Sequence, residues 1–400
     1  MAVDTLLERI TDHANRADPY PLYAELREAG VVRQTDGSYL VGTYYDIAAL
    51  LHDPRVSSDP RNLAAPYRDL APEEGMLSFI RLDDPEHHRL RGLAMRPFGP
   101  PHSPGRVDAM RSQIASITAE LLEALDGRTR IDVVEDFAYP LPVTVICRLL
   151  GVPREDEPVF REWSATIIDF ADIRPGQDPA ERRTIGEQAL TEMGRYLVDL
   201  AEDRRGHPGD DMLSAFVNEP GPGGAFTREE LAATAVLLLV AGHETTVNLI
   251  ANGALTLLRH PDQLDRLRRV PDLLPLAVEE LLRYEPPLQI RQRTPLANID
   301  VAGVTIPKGA PLVLVLASGN RDPRRFRDPE RFDPTRTDNQ HLGFGGGIHL
   351  CYGAPLARIE AQTALGALIP RLSTATLLQD PPAYRHNAML RGPRHLHIDL

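Results

Sequence analysis

The stretch Phe344-Gly345-Gly346-Gly347-Ile348-His349-Leu350-Cys351-Tyr352-Gly353 holds the densest concentration of reactive potential in the chain. Three consecutive glycines free the backbone to approach another group closely. Cys351 follows at the expected start of a helix, with Pro355 tolerated in its first turn. The helix dipole and the free amides at such a place bias a thiol toward thiolate. A thiolate can act as a nucleophile or as a metal ligand. Only one other cysteine exists, Cys147, so the spacings of tetrahedral zinc and iron–sulfur sites are missing. A nucleophilic cysteine would need a base and an orienting group, and His349 is too close in sequence to be judged as that base. A single axial thiolate to haem iron needs one cysteine, and the loop suits that role. The plainer reading, a buried structural cysteine beside a tight turn, is disfavoured by the residues around it.

A second unusual segment is Ala241-Gly242-His243-Glu244-Thr245-Thr246, which directly follows the apolar run 231–242. Glycine inside a helix costs about 1 kcal/mol relative to alanine. One explanation is a close helix–helix crossing at Gly242, with Glu244 in a structural ion pair. The other is that Gly242 leaves room for a ligand while Glu244 and Thr245 handle protons beside it.

These residues need elements to hold them. Thr227-Arg228-Glu229-Glu230 is a capping box, and the helix it opens should run to about Leu258, before Pro261. Its apolar run is too short for the roughly 20 residues of a membrane span, so a buried core helix is expected. Met110, Ile114, Ile117, Leu121 and Leu125 fall at helical spacing within 109–125, and 186–202 and 261–283 read similarly. Strand signals are few: 38–41, a strand–turn–strand at 301–308 turning at Gly303, and 312–316. Pro/Gly-rich breaks at 98–105, 174–179 and 218–224 look like loops. The expectation is a mainly α fold with a minor β-sheet, built as one large domain over residues 1–400.

Composition narrows the function. Hydrophobic residues at 42% and charged residues at 25% are those of an ordinary globular protein, which excludes a disordered or collagenous chain. The net charge of −13 argues against a general nucleic-acid binder. Two cysteines exclude a secreted disulfide framework, and no signal peptide is visible, so a soluble, cytoplasmic protein is expected, with no membrane contact. Among 44 fixed cations Lys308 is the lone lysine; the arginines can grip carboxylates with two hydrogen bonds.

Taken together, these patterns resemble the cytochrome P450 haem-thiolate monooxygenases, over nearly the whole chain. The cysteine loop with Ala354 is that family's most specific signature. Glu280-Leu281-Leu282-Arg283 matches its Glu-x-x-Arg helix, and Ala241-Gly242-x-Glu244-Thr245 its oxygen-activation helix. Asn320-Arg321-Asp322-Pro323 and Pro329-Glu330-Arg331-Phe332 match the region before the cysteine loop. The short chain and its arginine bias are similar to the bacterial, actinobacterial type. The resemblance implies a haem b (iron protoporphyrin IX) buried between the central helix and the cysteine loop, with Cys351 as proximal iron ligand. It implies Phe344 packed on that loop and amides near Gly353 donating to the sulfur. His87, Arg91, Arg293 and His349 match the family's propionate partners; Glu280, Arg283 and Arg331 match its structural triad. Glu244 is cast as proton relay, and Thr245 as the hydroxyl that hydrogen-bonds reduced dioxygen. Two departures stand out: Gly346 replaces a common histidine, and Tyr352 a common leucine.

The implied activity is insertion of one oxygen atom of O2 into a C–H bond or double bond of an apolar small molecule. Ferredoxin and ferredoxin reductase would supply electrons to a monomeric enzyme of secondary metabolism. Alternatives are a peroxide-driven peroxygenase, a haem-binding sensor, or a cofactor-free helical protein. Family pocket segments correspond to the residues before the His87 helix and to 160–173, 233–241, 288–292 and 388–390. These are mostly aliphatic, with Gln289 as a polar contact for a macrolide, terpenoid or steroid-like substrate. Arg89, Arg96 and Arg358 are expected to form a basic patch for an acidic ferredoxin, while Arg324, Arg325 and Arg327 are expected as solvated surface cations.

Overall fold

A computed structural model describes residues 5–70, 78–99, 103, 105–171 and 178–400. The breaks 98–105 and 174–179 and the end of 160–173 therefore lie partly outside the described residues, as does part of the segment before His87.

The capping box forms as its spacing requires. Thr227 Oγ1 accepts from the Glu230 amide at 3.2 Å, and Glu230 Oε2 accepts from the Thr227 amide at 2.9 Å. The helix runs Arg228–Arg259. It is long and apolar enough to cross a membrane, yet 72% of its most apolar window is buried inside the protein. The helices Pro140–Leu150, Pro179–Asp203 and Ala354–Leu372 pack around it. The close crossing falls at Gly253, where a Cβ would sit 2.9 Å from Leu365 and 3.1 Å from Leu281. At Gly242 the nearest atom to such a Cβ is 3.8 Å away, so helix packing is not what requires that glycine.

The segment 109–125 lies mostly in helix Arg106–Glu123, with Met110, Ile114 and Ile117 buried; Leu125 is buried just past its end. The predicted helix 261–283 is two helices, Pro261–Arg269 and Leu274–Tyr284. Pro271 drives Val270 out of the helical region, to φ −131° and ψ 74°.

Among the described residues, ten short strands form three sheets: β1 Val31–Arg33, β2 Tyr39–Val41, β3 Val56–Ser57, β4 Arg130–Asp132, β5 Arg291–Pro295, β6 Ile299–Val301, β7 Val304–Ile306, β8 Leu312–Leu314, β9 Thr376–Leu377 and β10 His397–Asp399. The first sheet has the order β1-β2-β8-β5-β3, with β2 and β8 parallel and its other pairs antiparallel. A second sheet, β4-β10-β9, ties the C-terminal end to the segment before Pro140–Leu150. Strands β6 and β7 form the expected hairpin, turning through Ala302 and Gly303 at positive φ. Strand β5 escapes sequence reading because Arg-Gln-Arg-Thr-Pro has no apolar alternation; it positions part of the site.

Candidate active site

Between the central helix and the cysteine loop lies a cavity enclosing about 1300 Å³, part of it open to solvent. Leu237, Leu238, Ala241, Gly242 and Thr245 form its helical wall. Phe344, His349 and Cys351 face them from the loop, and Arg291 and Arg293 from β5.

The loop is held from three sides. Its ends are closed by the Cys351 amide donating to the Phe344 carbonyl at 2.9 Å. Gly347, at φ +63°, lies so near the helix Tyr44–His52 that a Cβ would stand 2.0 Å from the Leu51 carbonyl oxygen. Its amide donates to His52 Nε2 at 3.2 Å, a contact invisible to motif reading because His52 is far away in sequence. Arg91 donates to the Leu350 carbonyl at 2.7 Å. Phe344 packs against the core beneath the Arg358 guanidinium, 4.6 Å from its ring centre. Tyr352 donates to the Ala94 carbonyl at 2.7 Å and stacks on Phe98, tying the loop to helix Glu86–Met95. Tyr352 thus belongs to the surroundings of the cysteine and not to an outer surface.

Cys351 does not open the helix as expected. It lies in the turn before helix Ala354–Leu372, whose N-cap is Gly353. Its thiol faces the cavity, while surrounding protein raises its pKa by burial; amides of Gly353 and Ala354 and the charges of Arg291 and Arg91 act the other way. Cys147 is fully buried in the core, and burial pushes its thiol up to about 12.

The cavity's rim collects two histidines and three arginines. His87 is buried, with Nδ1 3.3 Å from Asp84 and Nε2 without a partner. The His349 ring lies 4.3 Å from it, and neither of its nitrogens has a partner. Arg91, Arg291 and Arg293 join them, and none of the three makes a carboxylate ion pair among the described residues. Burial, then neighbouring positive charge, lowers His349 to about 3; burial and Arg291 bring Arg293 to about 10. Half-buried arginines and orphaned ring nitrogens gathered at one edge suit an anionic group, and the two propionates of a haem fit them. The thiol of Cys351 opens onto the same cavity. Arg291 was expected only within the pocket segment 288–292 and not as a cation of this edge, although its i,i+2 relation to Arg293 would signal a shared strand face. Glu360 was missed: it lines the cysteine side of the cavity, and burial raises its carboxyl well above the usual range.

On the opposite wall, Thr245 donates from Oγ1 to the Ala241 carbonyl at 2.7 Å. Glu244 is buried beside it but does not line the cavity. His243 points away, Nε2 lying 3.2 Å from the Tyr139 carbonyl oxygen.

Several expectations need correction. Glu280 and Arg283 form a two-bond ion pair at 2.7 and 2.8 Å with no exposure, but its third charged member is Arg336, 3.1 Å away; Arg331 contributes only its backbone carbonyl. Gln289 is fully buried, accepting from Tyr23 Oη at 2.9 Å, and does not face the cavity. Residues 388–390 do not line it either; the Met389 carbonyl accepts from the Gln289 amide. Phe160 packs in the core against Trp163 and Tyr196. Of the proposed basic patch, Arg89 is paired with Glu230 and Arg358 with Glu279, so two of its three charges are offset. Arg324 and Arg327 are exposed as expected, each beside an aspartate, whereas Arg325 is largely covered and pairs with Asp338.

A fold of helices around one long buried helix, with a thiol facing a cation-rimmed cavity, defines a haem-thiolate protein. The family model described as Cytochrome P450 matches residues 34–269 and 272–398. The chain is 44% identical over 397 residues to the cytochrome P450 monooxygenase PikC of Streptomyces venezuelae, covering 96% of this chain and 91% of that protein. It is 39% identical to the 6-deoxyerythronolide B hydroxylase of Saccharopolyspora erythraea, covering 96% of each. The ligand-free crystal structure of Mycobacterium smegmatis CYP164A2 superposes with a TM-score of 0.88 at 40% identity, covering 99% of both chains. The chain belongs to the cytochrome P450 family, in its bacterial form, and is a P450 monooxygenase.

Proposed function

We propose that this enzyme inserts one oxygen atom of O2 into a C–H bond or double bond of an apolar product of secondary metabolism. It does so as a cytoplasmic, monomeric, single-domain protein fed by ferredoxin and its reductase. The observation that carries the reading is the Cys351 thiol opening onto a cavity whose rim is cationic and whose facing wall is aliphatic around Thr245.

When bound, haem b supplies the redox chemistry that activates O2 with two electrons and two protons. Cys351 is the residue that would ligate it, with the Gly353 and Ala354 amides donating to sulfur and tuning its electron donation. His87, Arg91, His349 and Arg293 would hold the propionates. Arg291 adds positive charge at the same edge. Thr245 Oγ1, now donating to the Ala241 carbonyl, can turn to hold a proton at the cavity wall, and Glu244 behind it can replenish that proton. Leu237, Leu238 and Ala241 exclude water and leave an apolar substrate as the better occupant. The resemblance to the 6-deoxyerythronolide B hydroxylase and to a polyketide biosynthesis cytochrome P450 of Bacillus subtilis supports a polyketide-like substrate.

Cys351→Ser should abolish the thiolate signature of the reduced carbon monoxide spectrum, while Cys147→Ser leaves it in place. The reverse outcome would end the assignment of Cys351. A peroxide-driven reaction is the second reading; the Glu244–Thr245 pair disfavours it, because peroxide already carries the protons and electrons. Faster turnover with ferredoxin and NAD(P)H than with peroxide is the expected result.

A further inference from the structure

We propose a second, haem-independent site on the β4-β10-β9 sheet: Asp132, His395 and His397 bind a divalent transition-metal ion of the zinc class. His395 and His397 are two residues apart on an extended segment, so both side chains leave the same face. Their rings lie parallel, 5.6 Å apart with an angle of 5° between planes. The register places Asp132 of β4 directly opposite His397 of β10. Asp132 Oδ2 lies 2.7 Å from His395 Nδ1 and 3.9 Å from His397 Nδ1. All three potential ligand atoms lie within 4.8 Å of one another, a group not repeated among the described residues.

The carboxylate is prepared for this task. Its other oxygen, Oδ1, accepts from the amides of Val134 at 3.0 Å and Leu396 at 2.9 Å. Those two bonds fix the carboxylate plane and leave Oδ2 turned to the imidazoles, as second-sphere partners do in metal sites. Zinc–nitrogen and zinc–oxygen bonds of about 2.0–2.2 Å put tetrahedral ligand atoms roughly 3.3–3.5 Å apart. The two observed separations bracket that value: the shorter is a hydrogen bond that an entering ion would replace, releasing its proton to solvent, and the half-exposed His397 has room to close the longer one. Two imidazoles and one carboxylate select zinc, cobalt, nickel or copper over magnesium and calcium. The exposed side of the cluster leaves the fourth position to water. None of the three residues lines the haem cavity. A bound ion would cross-link β10 to β4.

The test uses the haem-loaded protein, stripped with a chelator and then titrated calorimetrically with zinc chloride. One zinc equivalent should bind saturably, magnesium chloride should give no such signal, and zinc should raise the thermal midpoint. His395→Ala or His397→Ala should each weaken binding by at least the roughly tenfold that losing even an outer-sphere partner costs. The double variant should lose the site while keeping its reduced carbon monoxide spectrum, which shows that it remains folded. Equal zinc binding by the double variant and the wild type would overturn the proposal. So would a wild type that takes up no zinc.

Discussion

Two regions of this molecule bury charge, and they do it in opposite ways. Around Glu280 every charge is answered. Arg283 binds both carboxylate oxygens, Arg336 reaches the same pair, the Asp333 amide donates at 2.9 Å, and Arg283 donates to the carbonyls of Asn320, Pro329 and Arg331. At the cavity rim Arg91, Arg291 and Arg293 have no carboxylate partner among the described residues, and three ring nitrogens of His87 and His349 have no hydrogen-bond partner there. A buried polar group without a partner costs about 1–3 kcal/mol, and a buried charge costs more. A fully paired knot therefore reads as structure. An unpaired cluster, whose cost the fold alone does not offset, reads as a place for a ligand of opposite charge.

The largest effect that would break this contrast is at the knot. Glu280→Ala strands Arg283 and Arg336 and should cost about 3–5 kcal/mol, read from denaturant unfolding. A change below about 1 kcal/mol would make the knot dispensable. Next comes His243, buried, which burial lowers to about 4. Between pH 6.5 and 4 the unfolded chain binds a proton there that the folded chain refuses, so stability falls as pH drops through that window. The loss reaches about 3 kcal/mol. His243→Gln should flatten the pH dependence of the unfolding midpoint.

The rim should respond in the opposite sense. His349→Leu removes an unpartnered polar group, so the haem-free protein should be as stable as the wild type or more so. Haem affinity should fall about ten- to a hundredfold, as a charge-assisted hydrogen bond of roughly 1.5–3 kcal/mol is lost. Transfer of haem to a competing apoprotein measures it. A loss of stability without a loss of haem affinity would move His349 into the structural class. Smallest is the surface. Arg89→Glu and Arg358→Glu break ion pairs that are already satisfied, each worth about 0–1 kcal/mol. Their effect on the ferredoxin concentration needed for half-maximal turnover should stay within about threefold, and a larger one would restore the docking patch that these pairings weaken.

Much of this was legible in the sequence, and for a local reason. The capping box, the apolar run of the central helix, the glycines of the cysteine loop and the hairpin at Gly303 depend on residues a few positions apart. Their backbone preferences act before any tertiary contact forms. The candidate site residues His87, Arg91, Arg293, Phe344, His349 and Cys351 all border the cavity or lie beside its rim; the family resemblance, and not their spacing, had grouped them. The choice of partners across long separations was decided only by the tertiary structure. Arg336 replaces Arg331 at Glu280 because the chain after Pro329 turns a carbonyl, not a guanidinium, toward Arg283. Gln289 is drawn into the core by Tyr23, and His52 reaches the cysteine loop from a helix about three hundred positions earlier. Arg291 becomes part of the site because β5, with no apolar alternation of its own, is held between β8 and β3. Such contacts follow no period in the sequence: they are fixed by where packed helices and sheets bring the chain back to itself.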